Sequence, residues 1–379
     1  MKNTLFTRLR DSLGPSAKLG GSALLGFALA NSATAQTFDF IYGLNSTTAG
    51  NSSPYNLVEF KIDTVTNAIT PSTIFSNLQS FIPGYGSVGR AFEQVNGLAI
   101  NPANNQVYFN YTYSNNGSNP TLGDTTFTLF RAQFTSSWTV DSLGSFTTPL
   151  SASGLAVAAN GGSFPRGGFL NNIGGGLDGY YFGGNGAQNL LRIPLSSATG
   201  NPASPISVAS VNSWADIDGS AALTGNVGGD MVINNGNIYT TTQAFVGSPI
   251  TGSIPTHMRR GIDSSGAPTA PLSPPFLNLT GQPGIAAAGT IQLAGLGNIP
   301  RLYAIGTNSD DVFLYGNPDA TTAAGLGMTV VGNVGAFLGA GTITDLSSGF
   351  TTSVIPEPSS TALLGLAGAC TLLRRKRKA

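Results

Sequence analysis

Proton transfer, nucleophilic attack and metal binding need particular side chains, and this chain has few of them. Its single histidine is His257, in the run PTHMRR. A serine hydrolase needs a histidine base beside its nucleophile. No G-x-S-x-G accompanies His257, which is expected to be an exposed or loop residue without a catalytic part. One histidine also excludes a histidine-rich metal site. Glycoside hydrolysis needs two carboxylates facing one sugar bond. Between Gln36 and Ile355 the only glutamates are Glu59 and Glu93, beside thirteen aspartates. Glu59 sits in the alternating run LVEFKID, where an outward position is expected. Glu93 precedes a strand-like run and could face a central channel.

Metal and phosphate chemistry fare no better. Asp216-Ile217-Asp218-Gly219 can bend two carboxylates around a tight turn, a weak fragment of a Ca²⁺ loop without the later oxygen ligands. Asp310-Asp311 is a similar fragment, and both read first as polar turns. The clusters Gly174-Gly175-Gly176 and Gly183-Gly184 are not followed by a helix, which a phosphate-binding loop requires. Cys370 is the only cysteine, so the chain before it holds no disulfide and no Cys-ligated metal. No cofactor is expected, with Ca²⁺ at Asp216 and Asp218 the one weak exception.

The elements that would position such residues are strands. Charged residues are 9% of the chain and glycine 51 of 379 residues, with no G-X-Y period. Ser, Thr, Asn and Gly carry the polarity, which suits a β-rich extracellular protein with many turns. A loose repeat runs through residues 36–353. One unit starts at VNGLAINPANNQVYFNYTY, with TTFTLFRAQF and SWTVDSLGSF after it. The next holds SGLAVAANGG, DGYYFGGN and QNLLRIPLSS. A third has GGDMVINNGNIYTTT and MRRGIDSSGAP, and a fourth GTIQLAGLGNIPRLYAIGT, DDVFLYGNPD and MTVVGNV. Each reads as an apolar strand, an Asn/Gly turn, a Tyr-containing strand and a third strand. Asp39–Asn45 and Tyr55–Asp63 look like a second and third strand lacking a first, and Thr342–Phe350 like a first strand lacking its followers. Joined across the termini they complete one unit, as in a ring of sheets. The expectation is an all-β domain, a β-propeller with five blades favoured and six or seven possible; an elongated or sandwiched β domain is the alternative. The proline-rich stretch Pro268–Pro283 is expected to be a long loop between blades.

The two ends read differently from the middle. Residues 1–35 have the form of a signal peptide: Lys2, Arg8, Arg10 and Lys18, then the apolar LGGSALLGFALA, then Ala33-Thr34-Ala35, with cleavage before Gln36. At the other end Pro356-Glu357-Pro358 precedes the apolar run ALLGLAGACTLL and the basic cluster Arg374, Arg375, Lys376, Arg377 and Lys378. The cluster acts as a stop-transfer signal and stays cytoplasmic by the positive-inside rule, which puts the preceding domain outside, as the leader does. These nine basic residues mask the charge of the middle. Residues 36–355 hold eight basic and fifteen acidic residues, a balance of about −7, with no basic patch for nucleic acid.

The order VIPEPSS, short hydrophobic helix and basic terminus resembles the PEP-CTERM sorting signal over residues 354–379. That resemblance implies recognition by an exosortase, a membrane sorting enzyme, with Pro356, Glu357 and Pro358 as the motif, in bacteria that often make exopolysaccharide. The expected partners are the secretion translocon, the sorting enzyme and an exopolysaccharide or other glycan. The expected path is an inner-membrane-anchored precursor, then the cell envelope, cell surface or extracellular matrix. The scarcity of histidine and glutamate favours a non-catalytic binding or structural protein over a secreted propeller glycoside hydrolase.

Overall fold

The computed structural model describes residues 38–350 apart from 49–51, 116–124, 149–165, 184–188, 214–225, 247–251, 283–290 and the turn positions 102, 105, 135–136, 235, 281, 297–298 and 307–308. Ala33, Ala35, Gln36, Asp216, Asp218, the Pro356–Pro358 motif and the basic end all lie outside these residues, as do the 1–35 and 354–379 segments. Among the described residues no helix is long and apolar enough to cross a membrane.

Among the described residues twenty strands form five antiparallel sheets of four. Blade 2 is β4 (Ala91–Asn101), β5 (Gln106–Ser114), β6 (Thr125–Phe134) and β7 (Trp138–Thr148). Blade 3 is β8 (Arg166–Gly174), β9 (Leu177–Gly183), β10 (Asn189–Ser196) and β11 (Ala209–Ser213). Blade 4 is β12 (Asn226–Asn234), β13 (Asn237–Val246), β14 (Gly252–Ile262) and β15 (Pro268–Asn278). Blade 5 is β16 (Ile291–Leu296), β17 (Ile299–Gly306), β18 (Asp311–Tyr315) and β19 (Thr329–Asn333). Blade 1 joins the two ends: β20 (Thr342–Phe350) is its first strand, followed by β1 (Phe38–Thr48), β2 (Ser52–Asp63) and β3 (Ile69–Phe75). The ladder runs from Phe40 opposite Phe350 to Ser46 opposite Thr342. The inner strands touch in the order β4, β8, β12, β16, β20 and back to β4, which closes a five-bladed propeller.

Each seam between blades holds its own apolar core, five in all. Leu44, Tyr55, Leu98 and Phe109 fill the seam between blades 1 and 2. Phe127, Phe169 and Phe182 fill the next, Met231, Ile238 and Leu190 the third, Tyr239, Phe313 and Leu302 the fourth, and Ile41, Ile305 and Leu346 the last. Each fully buried side chain of this size stabilises by about 1.5–3 kcal/mol, so the apolar alternation along the strands holds the ring together.

A polar latch repeats across three of the seams. Tyr108 stands opposite Arg131, Tyr181 opposite Arg192 and Tyr239 opposite Arg259 on neighbouring strands. Each pair reaches a turn of the following blade. Tyr108 donates to the Gly200 carbonyl (3.2 Å) and Arg131 to that of Thr199 (2.8 Å). Tyr181 donates to Gly266 (2.5 Å) and Arg192 to Ser265 (2.7 Å). Tyr239 and Arg259 both meet the Asp319 carboxylate, at 2.7 and 2.9 Å. In blade 5, Leu314 faces Tyr303, and the latch is rebuilt: Tyr303 Oη and Arg301 Nη1 both donate to Asp39 Oδ2 of blade 1, at 2.7 and 2.5 Å. Blade 1 has Phe40 opposite Lys61 at the equivalent place.

Several expectations need correction. Residues 268–278 form β15, not a loop; β15 is the outer strand of its sheet, and an outer strand tolerates prolines because it has no further neighbour to donate to. The first strand of blade 3 is RGGFLNNIG, not SGLAVAANGG, which lies outside the described residues. Each unit carries a fourth strand that the three-strand repeat omits. Glu59 is buried rather than outward, and accepts from Tyr42 Oη at 2.8 Å.

The Asp39 latch closes the ring where its first and last blades meet. Asp39→Ala strips Tyr303 and Arg301 of their shared acceptor. Arg301 is 38% exposed on its side chain, so water screens part of the loss, and the expected cost is about 2 kcal/mol in urea unfolding, against about 1 kcal/mol for Tyr303→Phe.

Candidate functional site

The inner strands converge on the axis, and there the molecule buries three ionisable groups from three blades. Asp345 on β20, Asp230 on β12 and Arg166 on β8 are each no more than 1% exposed. The Leu98 amide of β4 donates to Asp345 Oδ2 at 2.6 Å. Asp230 Oδ1 accepts from its neighbour Met231 N at 2.6 Å, and Oδ2 from Leu346 N on β20 at 3.3 Å. β12 and β20 are not neighbours in the ring, since β16 stands between them. Asp230 therefore reaches past one blade to hold the backbone of another.

Local sequence explains the placement. GGDMVIN and TITDLSS put an aspartate just before the apolar residue at the level where β4 has Gly97-Leu98. Register irregularities fall beside it: between Val227 and Asp230 on β12, and beside Asp345, where Leu44 and Asn45 of the partner strand change register. A bulge turns a side chain that would pack between sheets toward the axis. Gly97 adopts φ +65°, and a Cβ there would lie 1.9 Å from Asn110 Nδ2. A Cβ on Gly167 of β8 would come within 2.3 Å of the Gly97 backbone. These glycines let β4 and β8 meet backbone to backbone, secured by Tyr180 Oη donating to the Gly97 carbonyl at 2.6 Å and by Asn110 Nδ2 donating to Tyr180 Oη at 3.0 Å.

The electrostatics follow from this crowding. Burial pushes the Asp345 carboxyl well above the ordinary carboxylate range, and the facing Asp230 pushes it further; the Leu98 amide works the other way. Burial lowers the Arg166 guanidinium to about 10, with Asp230 opposing that drop. Asp345 thus holds its proton to higher pH than an ordinary carboxyl, facing Asp230, with Arg166 as the nearby positive charge. A carboxyl held neutral beside a second carboxylate can donate a proton, and acid–base sites use this arrangement.

The residues singled out from sequence fall elsewhere. Glu93 is half-buried at the start of β4, where both its oxygens accept from the Gly86 amide at 3.0 and 2.9 Å and one from Tyr111 Oη. It anchors the 76–90 connection, where Arg90 donates to the Pro83 and Gly84 carbonyls and lies 4.1 Å over Tyr113. His257 is not exposed. It is buried on β14 between Tyr239 and Tyr315, with Nε2 3.2 Å from the Pro318 carbonyl. Asp310 and Asp311 make a turn, with Asn333 Nδ2 donating to Asp311 Oδ1 at 2.8 Å. Gly174–Gly176 turn β8 into β9. Among the described residues no group of three His, Cys, Asp or Glu side chains is placed to hold a metal. The axial aspartates carried a sequence signal, the shared position in the repeat, which shows only once the inner strands are aligned.

Residues 354–378 match the PEP-CTERM protein-sorting motif. The protein carries an exosortase-type sorting signal on a β-propeller; it is an exported, membrane-anchored precursor processed for the cell surface. No curated protein matches the sequence. Solved structures with a similar strand arrangement include an alpha-L-arabinanase mutant of Cellvibrio cellulosa, 9% identical, covering 72% of this chain and 86% of that one with a TM-score of 0.37. A Bacillus (B.) megaterium levansucrase mutant is 11% identical over 78% and 80%, TM-score 0.41. A beta-xylosidase/alpha-arabinofuranosidase from a compost microbial metagenome is 11% identical over 72% and 86%, TM-score 0.38. Against the expectation of a non-catalytic domain, these three named structures are enzymes, among them a GH43 beta-xylosidase/alpha-arabinofuranosidase. At these identities and scores the likeness is one of fold and carries no activity to this chain.

His257 offers a clean pH test. Burial lowers its pKa from 6.5 to about 4, so the folded state holds it neutral while the unfolded chain protonates it. The stability it confers is complete above pH 6.5 and is lost as pH falls toward 4, about 3 kcal/mol in all. His257→Phe, measured by thermal unfolding from pH 7 to 4, is expected to show a flatter acid limb than the parent.

Proposed function

We propose that this exported propeller is a secreted glycoside hydrolase acting on carbohydrate of the cell envelope or surrounding matrix, delivered by its sorting tail. The observation that supports the hydrolytic reading is the axial carboxyl pair. A glycosidase needs a carboxyl that stays protonated at its working pH and passes the proton to the leaving oxygen. Burial and the facing Asp230 push Asp345 toward that state. The two carboxyls interact electrostatically, and Asp345 takes the acid's part in this reading. Both are buried in this structure. Arabinan, xylan and levan are the first substrates to try, after the similar propellers.

The tail supports delivery. The leader at 1–35 engages the translocon, Pro356-Glu357-Pro358 is read by the sorting enzyme, and Arg374–Lys378 hold the precursor at the inner membrane, each basic residue contributing about 1 kcal/mol at anionic headgroups.

Two measurements check these readings. Purified protein is incubated with the three polysaccharides and with chromogenic arabinosides and xylosides. Sugar release is expected, with kcat reduced about 100-fold or more in Asp345→Asn at unchanged Tm; a folded parent inert on the whole panel refutes the hydrolase. For sorting, alanines at 356–358 are expected to leave uncut protein in the inner membrane, and deletion of 374–378 to let it leak past. A motif variant cut and delivered like the parent refutes exosortase recognition.

A further inference from the structure

β20 is the last strand of the ring and the innermost of its blade, and it ends at Phe350 beside Phe40, near the start of β1. Both ends of the chain therefore leave the propeller from one face, close to the axis. That exit face also carries the β2–β3 turn at Asp63–Ala68, the β14–β15 turn at Asp263–Ala267 and the Tyr–Arg latches. The opposite, far face carries the 76–90 connection with Tyr85 and Arg90.

The sorting match begins at residue 354, four residues beyond β20, and the apolar run begins at Ala362. Twelve residues drawn out fully from Phe350 to Ala362 span at most about 41 Å, and six residues to Pro356 about 20 Å. For the far face to approach the bilayer, the tail would first cross the four-strand blade and then run down its outside. Three strand spacings are about 14 Å, and the eleven residues of β1 stand about 35 Å tall. The path totals about 49 Å, longer than the tether allows.

We infer that the membrane-held precursor stands with its exit face toward the lipid surface, and that the far face, with the 76–90 connection, points away from the cell membrane. The sorting motif is then presented within about 20 Å of the exit face, while the far face is free to meet ligands before the tail is cut. The inference rests on strand order and the sorting tail and is independent of the hydrolytic reading.

The test uses the full chain purified from membranes, with Cys370→Ser removing the only cysteine. Val65→Cys on the exit face or Val88→Cys on the far face, 72% and 105% exposed in the parent, carries a fluorescent donor. The protein is placed in phosphatidylethanolamine–phosphatidylglycerol vesicles containing a headgroup acceptor. Energy transfer is expected to be strong from position 65 and largely lost from position 88. Inserting a Gly/Ser linker of about 20 residues after Ser353, about 25 Å in mean reach, is expected to erase the difference. Equal transfer from both positions in the unlengthened chain, stronger transfer from 88, or failure of the chain to float with the vesicles overturns the inference.

Discussion

The ladder between β20 and β1 is the constraint on which the rest of the molecule depends. A ring of sheets is stable only if no inner strand is left with an open edge. Here the closing pair comes from opposite ends of the chain, so every other blade is held in place by a contact the chain makes last. The Asp39 latch and the Ile41–Ile305–Leu346 core sit on the neighbouring seam, and both fail if that ladder is absent. Local hairpins build blades 2 to 5, but only the long-range pairing makes them a ring.

At the axis the same closure creates an electrostatic problem. Five inner strands brought this close leave little room for water, and the side chains that fill the space are not all apolar. Two carboxyls and a guanidinium from three blades meet there. Removing a carboxylate from water is costly unless it is paired or neutralised, and the hub answers both ways: the Asp345 carboxyl is pushed toward its neutral form, and Asp230 accepts from backbone amides with Arg166 nearby. Backbone amides of β4 and β20 serve as donors, which ties the protonation state of the hub to the spacing of strands that are not neighbours. A cluster of this kind favours one arrangement of five blades over another.

Much of this architecture was legible in the residues. The alternation of YNLVEFKID and NQVYFNYTY marks strands, the Asn-Gly and Asn-Asn pairs mark hairpins, and the incomplete units at 39–63 and 342–350 announce closure across the termini. Legibility ended where burial, rather than pattern, decides the outcome. Glu59 obeys the alternation of an exposed position, yet it is buried and accepts from Tyr42 on the adjacent strand. His257 read as an exposed or loop residue because no nucleophile motif accompanies it, and the seam between blades 4 and 5 buries it. The prolines of 268–278 argued against a strand, but only against one with neighbours on both sides. Asp230 and Asp345 lie far apart in the chain, and no local spacing rule links them; their meeting is a property of the ring. The Tyr–Arg latches were hidden for the same reason, since cross-strand register, not sequence interval, pairs them.

The mixed blade also imposes an order on export. A chain that crosses a membrane from its amino end delivers β1 to β3 first, and these strands arrive without the inner strand they are built around. Blades 2 to 5 can form in turn as each hairpin emerges, while the first sheet waits, one edge open, until the last folded strand of the chain has crossed. For most of its passage the protein is an open arc whose leading edge invites pairing with other extended chains. Closing that edge waits for the chain's own carboxy-terminal strand, so the speed of export sets how long the open arc persists.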